Sequence, residues 1–299
     1  MQTLSARYLA EYMKIPIILI SYNNHNIFKR SIESLIENTS KIYELIVVDN
    51  NSSDLEHRKY LNDLRNKGVV KLYQNNLNQF TFGLNECLKD LGDSSNLIAI
   101  CDSDFLYPKP LDGECWLSVL VREMQESPYI GKLGLSISLE NIKNKKHLKS
   151  LYKREKEFSR LSLNNNVWAA QVDTTPALYR KDLFFWGKFR LYPGHMSANK
   201  PYYHIGRHKK IIGYHMGWDN DEYISKGPIV SVSKIDSFAL YGGALDRTVV
   251  NNLNIFLKFR YFVLKFISKL FWVSFKILWF ILFLLKGRLF FFNKLLYKQ

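Results

Sequence analysis

The amino-acid sequence predicts an α/β fold built on a doubly wound, mostly parallel sheet, and three observations carry that prediction. Strand-like and helix-like patterns alternate with short links through roughly the first third of the chain, the arrangement that βα units with right-handed crossovers produce. At 299 residues and 47% hydrophobic content the chain can bury a full α/β core. Several of the strand-like stretches also end in carboxylates or amides, which places polar groups at the edge where open α/β sheets bind ligands.

The elements follow in order. IPIILISY (15–22) reads as the first strand, and HNIFKRSIESLIEN (25–38) as a helix with Ile27, Ile32, Leu35 and Ile36 on one face. YELIVVDN (43–50) is the second strand, followed by a polar helix after Ser52. GVVKLYQN (68–75) is a third strand, a helix runs from about Phe80 to Leu91, and LIAICDSD (97–104) is the fourth strand. No internal repeat is present, no G-x-G-x-x-G follows the first strand, and there is no P-loop. Beyond residue 110 the pattern loosens. The basic, polar stretch 139–163 reads as a solvated helix or as a lid, VWAAQVDTTPALYRKDLF (167–184) opens like a strand, and RLYPGHMSANKPYYHIGRHK (190–209) reads as an irregular loop.

Three cysteines without ligand spacing argue against a disulfide scaffold or a zinc site and fit a reducing cytoplasm. The first sixteen residues lack the apolar core of a secretory signal. Net charge is +15, but nine of the 42 basic residues and none of the 27 acidic ones follow residue 250, leaving +6 for the first 250 residues. That distribution, in a tail dominated by Phe, Leu, Ile, Val and Trp, argues against nucleic acid as the partner. Lys258, Lys265, Lys269 and Lys276 fall within roughly 40° of one line on a helix. A basic stripe on an apolar, amphipathic helix suits an anionic membrane surface. The longest charge-free run, residues 277–285, is shorter than a span requires, so a helix lying on the membrane is the favoured arrangement and a tilted span from about 266 to 285 the alternative.

Asp102 and Asp104, separated by one serine at the tip of an apolar strand, raise the chemical question. Such triplets usually cap turns or helices. Two carboxylates so placed also repel one another unless a cation or hydrogen-bond donors hold them, and a hard ion such as Mg²⁺ or Mn²⁺ needs only one or two protein carboxylates when a substrate diphosphate supplies other oxygens. Asp49, at the end of the second strand, falls on the same rim.

ISYNN on strand one, VVDNNSSD on strand two, NNLNQFTFGLNECL before the fourth strand and CDSDF closing it together resemble, in order and spacing, the nucleotide-sugar half of family 2 glycosyltransferases with the GT-A fold. The resemblance is strong over about residues 14–110 and weaker over 165–225. It implies a metal-dependent, inverting transferase of the bacterial surface-glycan type, using a UDP-sugar and acting on a glycan or lipid-linked glycan at the cytoplasmic face of the inner membrane. It implies a domain at 1–250, with 14–110 binding the donor and 111–250 the acceptor, followed by the membrane-associating tail at 251–299 that the lysine stripe indicates. Ser21 and Tyr22 would line the base and ribose pocket, Asp49 would accept a hydrogen bond from uracil or ribose, and Asn75 and Gly83 would form its floor. Asp102 would face the ribose or a metal-bound water, and Asp104 would ligate Mn²⁺ or Mg²⁺. Leu77, Gln79 and Phe80 depart from the family's usual residues.

In the second half, DTTPALYRK is similar to the family's acceptor-side strand, placing Asp173 near the cleft. HMGWDNDE is similar to its His-x-x-Trp plus acidic cluster, which makes His215 a metal or diphosphate ligand, Trp218 a platform for a sugar face, and Asp219, Asp221 or Glu222 the base. A satisfied core or surface histidine is the alternative for His215 and a solvated helix start for the acids, and His195, His204, His208 and Arg207 compete for the same roles. Glycosyl transfer needs such groups: the leaving diphosphate gathers charge, and the acceptor hydroxyl must lose a proton. A nucleotidyltransferase also places carboxylates on an α/β rim, but with a Gly-rich basic loop absent from this chain; a non-catalytic membrane-binding module is the third alternative.

Overall fold

The computed structural model describes residues 14–91, 95–172, 176–181, 203–219, 232–240, 245 and 247–282. Over these residues nine strands form one curled sheet. They are β1 (Ile15–Ser21), β2 (Tyr43–Asp49), β3 (Lys71–Gln74), β4 (Leu97–Asp102), β5 (Phe105–Leu106), β6 (Ile130–Ile137), β7 (Val167–Ala169), β8 (Ala177–Arg180) and β9 (His204–His215). The order is β3-β2-β1-β4-β8-β6-β9-β5, with β7 added against β9. The first four in that order are mutually parallel, β8 runs against both β4 and β6, and β9 runs parallel to β6. The carboxyl ends of β1, β2, β3, β4 and β9 therefore share one rim.

Helices cover the sheet. The helix α1 (His25–Glu37) buries Phe28, Ser31, Ile32 and Leu35; of the face expected from the spacing, Ile32 and Leu35 are buried, Ile27 is half-buried and Ile36 is exposed, because the helix turns Phe28 toward the core. In α2 (Leu55–Asn66) the Asp54 side chain caps the first turn by accepting from the His57 backbone N–H at 3.1 Å. The stretch predicted as one helix from Phe80 splits into a 3₁₀ turn, Phe80–Leu84, and the short α3 (Asn85–Asp90). Downstream, α4 (Trp116–Glu126) packs its apolar side into the main core, and α5 (Lys149–Glu157) realises the helix expected in the basic stretch 139–163. Residues 204–209, expected to be irregular, are the first half of β9: pairing with β6 on one side and β7 on the other overrides a composition rich in Gly, His and Lys.

The chain ends, as described, in α6 (Val232–Leu240), α7 (Arg247–Asn252) and the 28-residue α8 (Ile255–Leu282). Ile235, Ala239, Leu245, Leu253 and Tyr261 form a small separate core between them. Arg260 of α8 donates to both carboxylate oxygens of Asp236 in α6, at 2.8 and 2.7 Å, and Ser268 Oγ donates to the Leu240 carbonyl at 2.6 Å. The opposite side of α8 exposes Phe256, Phe259, Phe262, Phe266 and Leu270, each more than half accessible. Among the described residues no helix is long and apolar enough to cross a membrane.

Candidate active site

The parallel register sets one wall of the site. Ser21 pairs with Asp49, Asp49 with Gln74, and Ile20 with Asp102, so the tips of β1 to β4 line up. Backbone bonds continue the rim past the strands: Asn50 N–H donates to the Ser21 carbonyl at 2.8 Å and Asn75 N–H to the Asp49 carbonyl at 2.9 Å. Asp49 is only 2% exposed, and its carboxylate accepts from the Ser52 N–H at 3.3 Å and from Ser52 Oγ at 2.5 Å. Asn23 Oδ1 accepts from the N–H groups of Ser53 and Asp54, at 2.8 and 3.0 Å, binding the loops after β1 and β2 together. Asn23, Asn24 and Asn51 all take left-handed backbone angles, which asparagine tolerates better than most side chains.

Ser21 is fully buried and shares a 2.6 Å hydrogen bond with Nε2 of His57 on α2, whose pKa burial pushes below its ordinary value. Tyr22, by contrast, is half exposed at the rim. Asn75 Nδ2 donates to Asn50 Oδ1 at 3.0 Å and to the Gly83 carbonyl at 3.3 Å, and a Cβ on Gly83 would lie 2.2 Å from Asn50 Oδ1. Glycine is thus required for Asn50, Asn75 and the 3₁₀ turn to close on one another.

The other wall is built by β5 and β9. Their antiparallel pairing sets Phe105 opposite His215, and the Met216 N–H donates to the Asp104 carbonyl at 2.8 Å. The Asp104 side chain consequently faces His215, with Oδ1 lying 3.7 Å from Nε2. Asp104 Oδ1 and His215 Nδ1 are buried atoms with no hydrogen-bond partner. Loss of hydration pushes the Asp104 carboxyl up to about 6 and the His215 imidazole below its ordinary value, while the Asp102 charge opposes the latter shift. The imidazole stacks on Trp218, ring centroids 4.6 Å apart and planes within 10°. A Cβ on Gly217 would lie 2.3 Å from Asp104 Oδ2 and 2.9 Å from His215 Cε1.

A buried carboxylate oxygen without a donor, facing a histidine without one, matches the needs of a divalent cation better than those of a folded core. Among the described residues no group of three or more His, Cys, Asp or Glu is preassembled to hold a metal. Asp104 and His215 therefore suit an ion that takes its remaining oxygens from water or from a bound phosphate.

Asp219 ends the short 3₁₀ turn Met216–Trp218, accepting from Tyr214 Oη at 2.8 and 2.9 Å and from Asn141 Nδ2 at 3.0 Å. Lys145 Nζ holds the same turn by donating to the carbonyls of Trp218 and Asp219. Asp173, Asp221, Glu222 and His195 lie outside the described residues. His204 lies at the far end of β9, and His208 accepts from the backbone N–H groups of Lys210 and Ile211. Arg207 makes a buried ion pair with Glu155 at 2.6 Å, away from the rim. Asn50, Ser52, His57, Asn141 and Gly217 were not singled out by the sequence. Only the Asn-Asn-Ser-Ser-Asp run hinted at the first two, because the other contacts join segments far apart in the chain.

The family model described as Glycosyl transferase family 2 matches residues 17–185. No curated protein sequence matches the chain. Among solved structures, the mannosyltransferase PcManGT from Pyrobaculum calidifontis, in complex with GDP-Man and Mn²⁺, superposes with a TM-score of 0.51 at 10% identity, covering 92% of this chain and 76% of that one. Glucosyl-3-phosphoglycerate synthase from Mycobacterium tuberculosis, in complex with Mn²⁺, UDP and phosphoglyceric acid, gives 0.47 at 14% identity over 80% and 82% of the two chains. The family match spans more than half of the chain and covers β1 to β4 together with Asp49, Asp102 and Asp104, and the mannosyltransferase shares the GT-A fold. The chain belongs to glycosyl transferase family 2.

Proposed function

We propose that this glycosyltransferase moves a sugar from a nucleotide-sugar donor, a UDP-sugar, to a glycan or lipid-linked glycan, with Mn²⁺ or Mg²⁺ bound and with inversion at the anomeric carbon. The observation that carries the reading is the Asp104–His215 pair: a buried imidazole 3.7 Å from a half-buried carboxylate whose near oxygen is buried and without a hydrogen-bond partner, at the rim of a parallel sheet. The GDP-Man and Mn²⁺ held by the mannosyltransferase of like fold support a nucleotide-sugar donor and a divalent ion, without bearing on the choice of UDP.

In this reading residues 14–110 hold the donor and 111–250 the acceptor. Asp49 and the loop it ties through Ser52 face the base and ribose, Tyr22 flanks them, and Asn75 and Gly83 keep the floor low enough for the nucleotide to approach the backbone. Asp104 and His215 hold the ion, with Asp102 beside them on the ribose side. Bound there, a divalent ion supplies Lewis-acid stabilisation of the charge gathering on the departing diphosphate. Trp218 holds the His215 ring in place and offers an apolar face nearby. An acid of the 219–222 cluster, or Asp173, takes the acceptor's proton.

The tail, residues 251–299, attaches the enzyme to the cytoplasmic face of the inner membrane, where a lipid-borne acceptor of surface polysaccharide or lipooligosaccharide synthesis is found. The exposed aromatic side of α8 supports this, since a soluble helix seldom leaves so many large apolar side chains in water. The test offers the full chain a panel of nucleotide sugars, Mn²⁺ and membrane lipid extract, and analyses the products by mass spectrometry. Release of UDP with a glycosylated acceptor is expected. Release of pyrophosphate with a nucleotidylated product would refute glycosyl transfer.

A further inference from the structure

We infer that Phe238 in α6, acting through Phe80, is a positioning residue for the nucleotide floor, so that the C-terminal helices complete the donor site. The inference rests on the donor-site reading given above.

Phe80 is the one aromatic residue among the described residues with a left-handed backbone, φ +52°. A bulky side chain adopts that conformation only where its surroundings impose it. Two local contacts hold the backbone: Phe80 N–H donates to Asn78 Oδ1 at 3.0 Å, and Asn50 Nδ2 donates to the Phe80 carbonyl at 2.9 Å. The ring is held from outside the sheet domain. It stacks on Phe238, with centroids 5.9 Å apart and planes within 27°. Phe238 packs partly buried against the small core of α6 to α8, and α6 is fixed to α8 through Asp236–Arg260 and Leu240–Ser268.

The carbonyl that this clamp orients is the start of the floor. Asn50, fixed by Phe80, accepts from Asn75, and Asn75 also donates to Gly83, where no Cβ fits. Asn50 is also the residue after Asp49, with its N–H on the Ser21 carbonyl. A continuous set of contacts therefore joins α6, and through it α8, to the two strand tips assigned to the nucleotide. Loss of the Phe80–Phe238 stack should let Phe80 relax toward negative φ, swing its carbonyl away from Asn50 and loosen the floor.

The experiment measures UDP and GDP binding to the full chain by calorimetry, with Mn²⁺ present, alongside the melting temperature. Phe238→Leu keeps apolar volume between the helices but removes the stack, and should weaken nucleotide binding about three- to tenfold at an unchanged melting temperature. Phe238→Tyr should restore wild-type affinity. Phe80→Gly adopts positive φ without strain, so Phe238→Leu added to it should have no further effect. Wild-type affinity in Phe238→Leu, failure of Phe238→Tyr to rescue, or independent effects in the double variant would each overturn the coupling while leaving the donor site standing. Absence of any nucleotide binding to the wild-type chain would instead overturn the donor-site reading, and the coupling with it.

Discussion

Gly217 shows how closely the wall around Asp104 and His215 is drawn. Its backbone is not in the left-handed region, so alanine is conformationally acceptable there, yet the added methyl would occupy space held by Asp104 Oδ2 and the edge of the His215 ring. Gly217→Ala should fold and keep its melting temperature within a few degrees, but push the carboxylate aside and weaken Mn²⁺-dependent nucleotide binding by about tenfold or more, as calorimetry would report. Asp49 makes a contrasting case. It is buried against Ser52, so it acts on the donor partly through the loop it organises. Asp49→Ala should cost about 1.5–3 kcal/mol of nucleotide affinity, the worth of a hydrogen bond to a charged acceptor, and do so equally with and without metal. Unaltered affinity in a folded Asp49→Ala protein would remove it from the donor site.

At the scale of elements, β1, β2 and β4 were legible because each is an apolar run ending in a polar tip, and the structure only trims their carboxyl ends by one or two residues. The long strand β9 was not, because its first half has the Gly, His and Lys content of a loop and becomes a strand only between β6 and β7. Asp102 and Asp104 could be read from their spacing; the partnership of Asp104 with His215 could not, since it is made by the two-residue strand β5 turning back on β9. The tail helix was legible from its lysine spacing, and the structure adds its inner face. Tyr261 and Ser268 are buried toward α6, Lys258 and Lys265 lie half-buried beside them, and the phenylalanines point away. The lysines thus border the apolar face instead of opposing it, the placement from which long side chains reach headgroups. Replacing Lys258, Lys265, Lys269 and Lys276 with Gln should weaken binding to anionic vesicles by about 1 kcal/mol per lysine, less at high salt, with little change on neutral vesicles. Equal loss on both vesicle types would contradict an electrostatic role.

For the whole molecule, the buried histidines set a pH dependence. Burial lowers the pKa of His57 and His208, so the folded state holds each neutral at a pH where the unfolded chain would protonate it. The unfolded state then binds more protons, and stability rises with pH through that window and is lost as pH falls below the ordinary histidine value of 6.5. Melting temperatures should therefore drop from pH 7 to pH 5, and His57→Gln should flatten the slope. The family 2 match and the parallel rim make the chain a glycosyltransferase, and the proposed metal site rests on Asp104 and His215. The most direct test is calorimetry of UDP with the wild-type chain and Asp104→Asn, each with and without Mn²⁺. Mn²⁺ should strengthen binding to the wild-type chain, Asp104→Asn should abolish this gain, and the metal-free affinities should agree. Wild-type binding indifferent to Mn²⁺, or equal weakening of Asp104→Asn under both conditions, would contradict the proposed metal site.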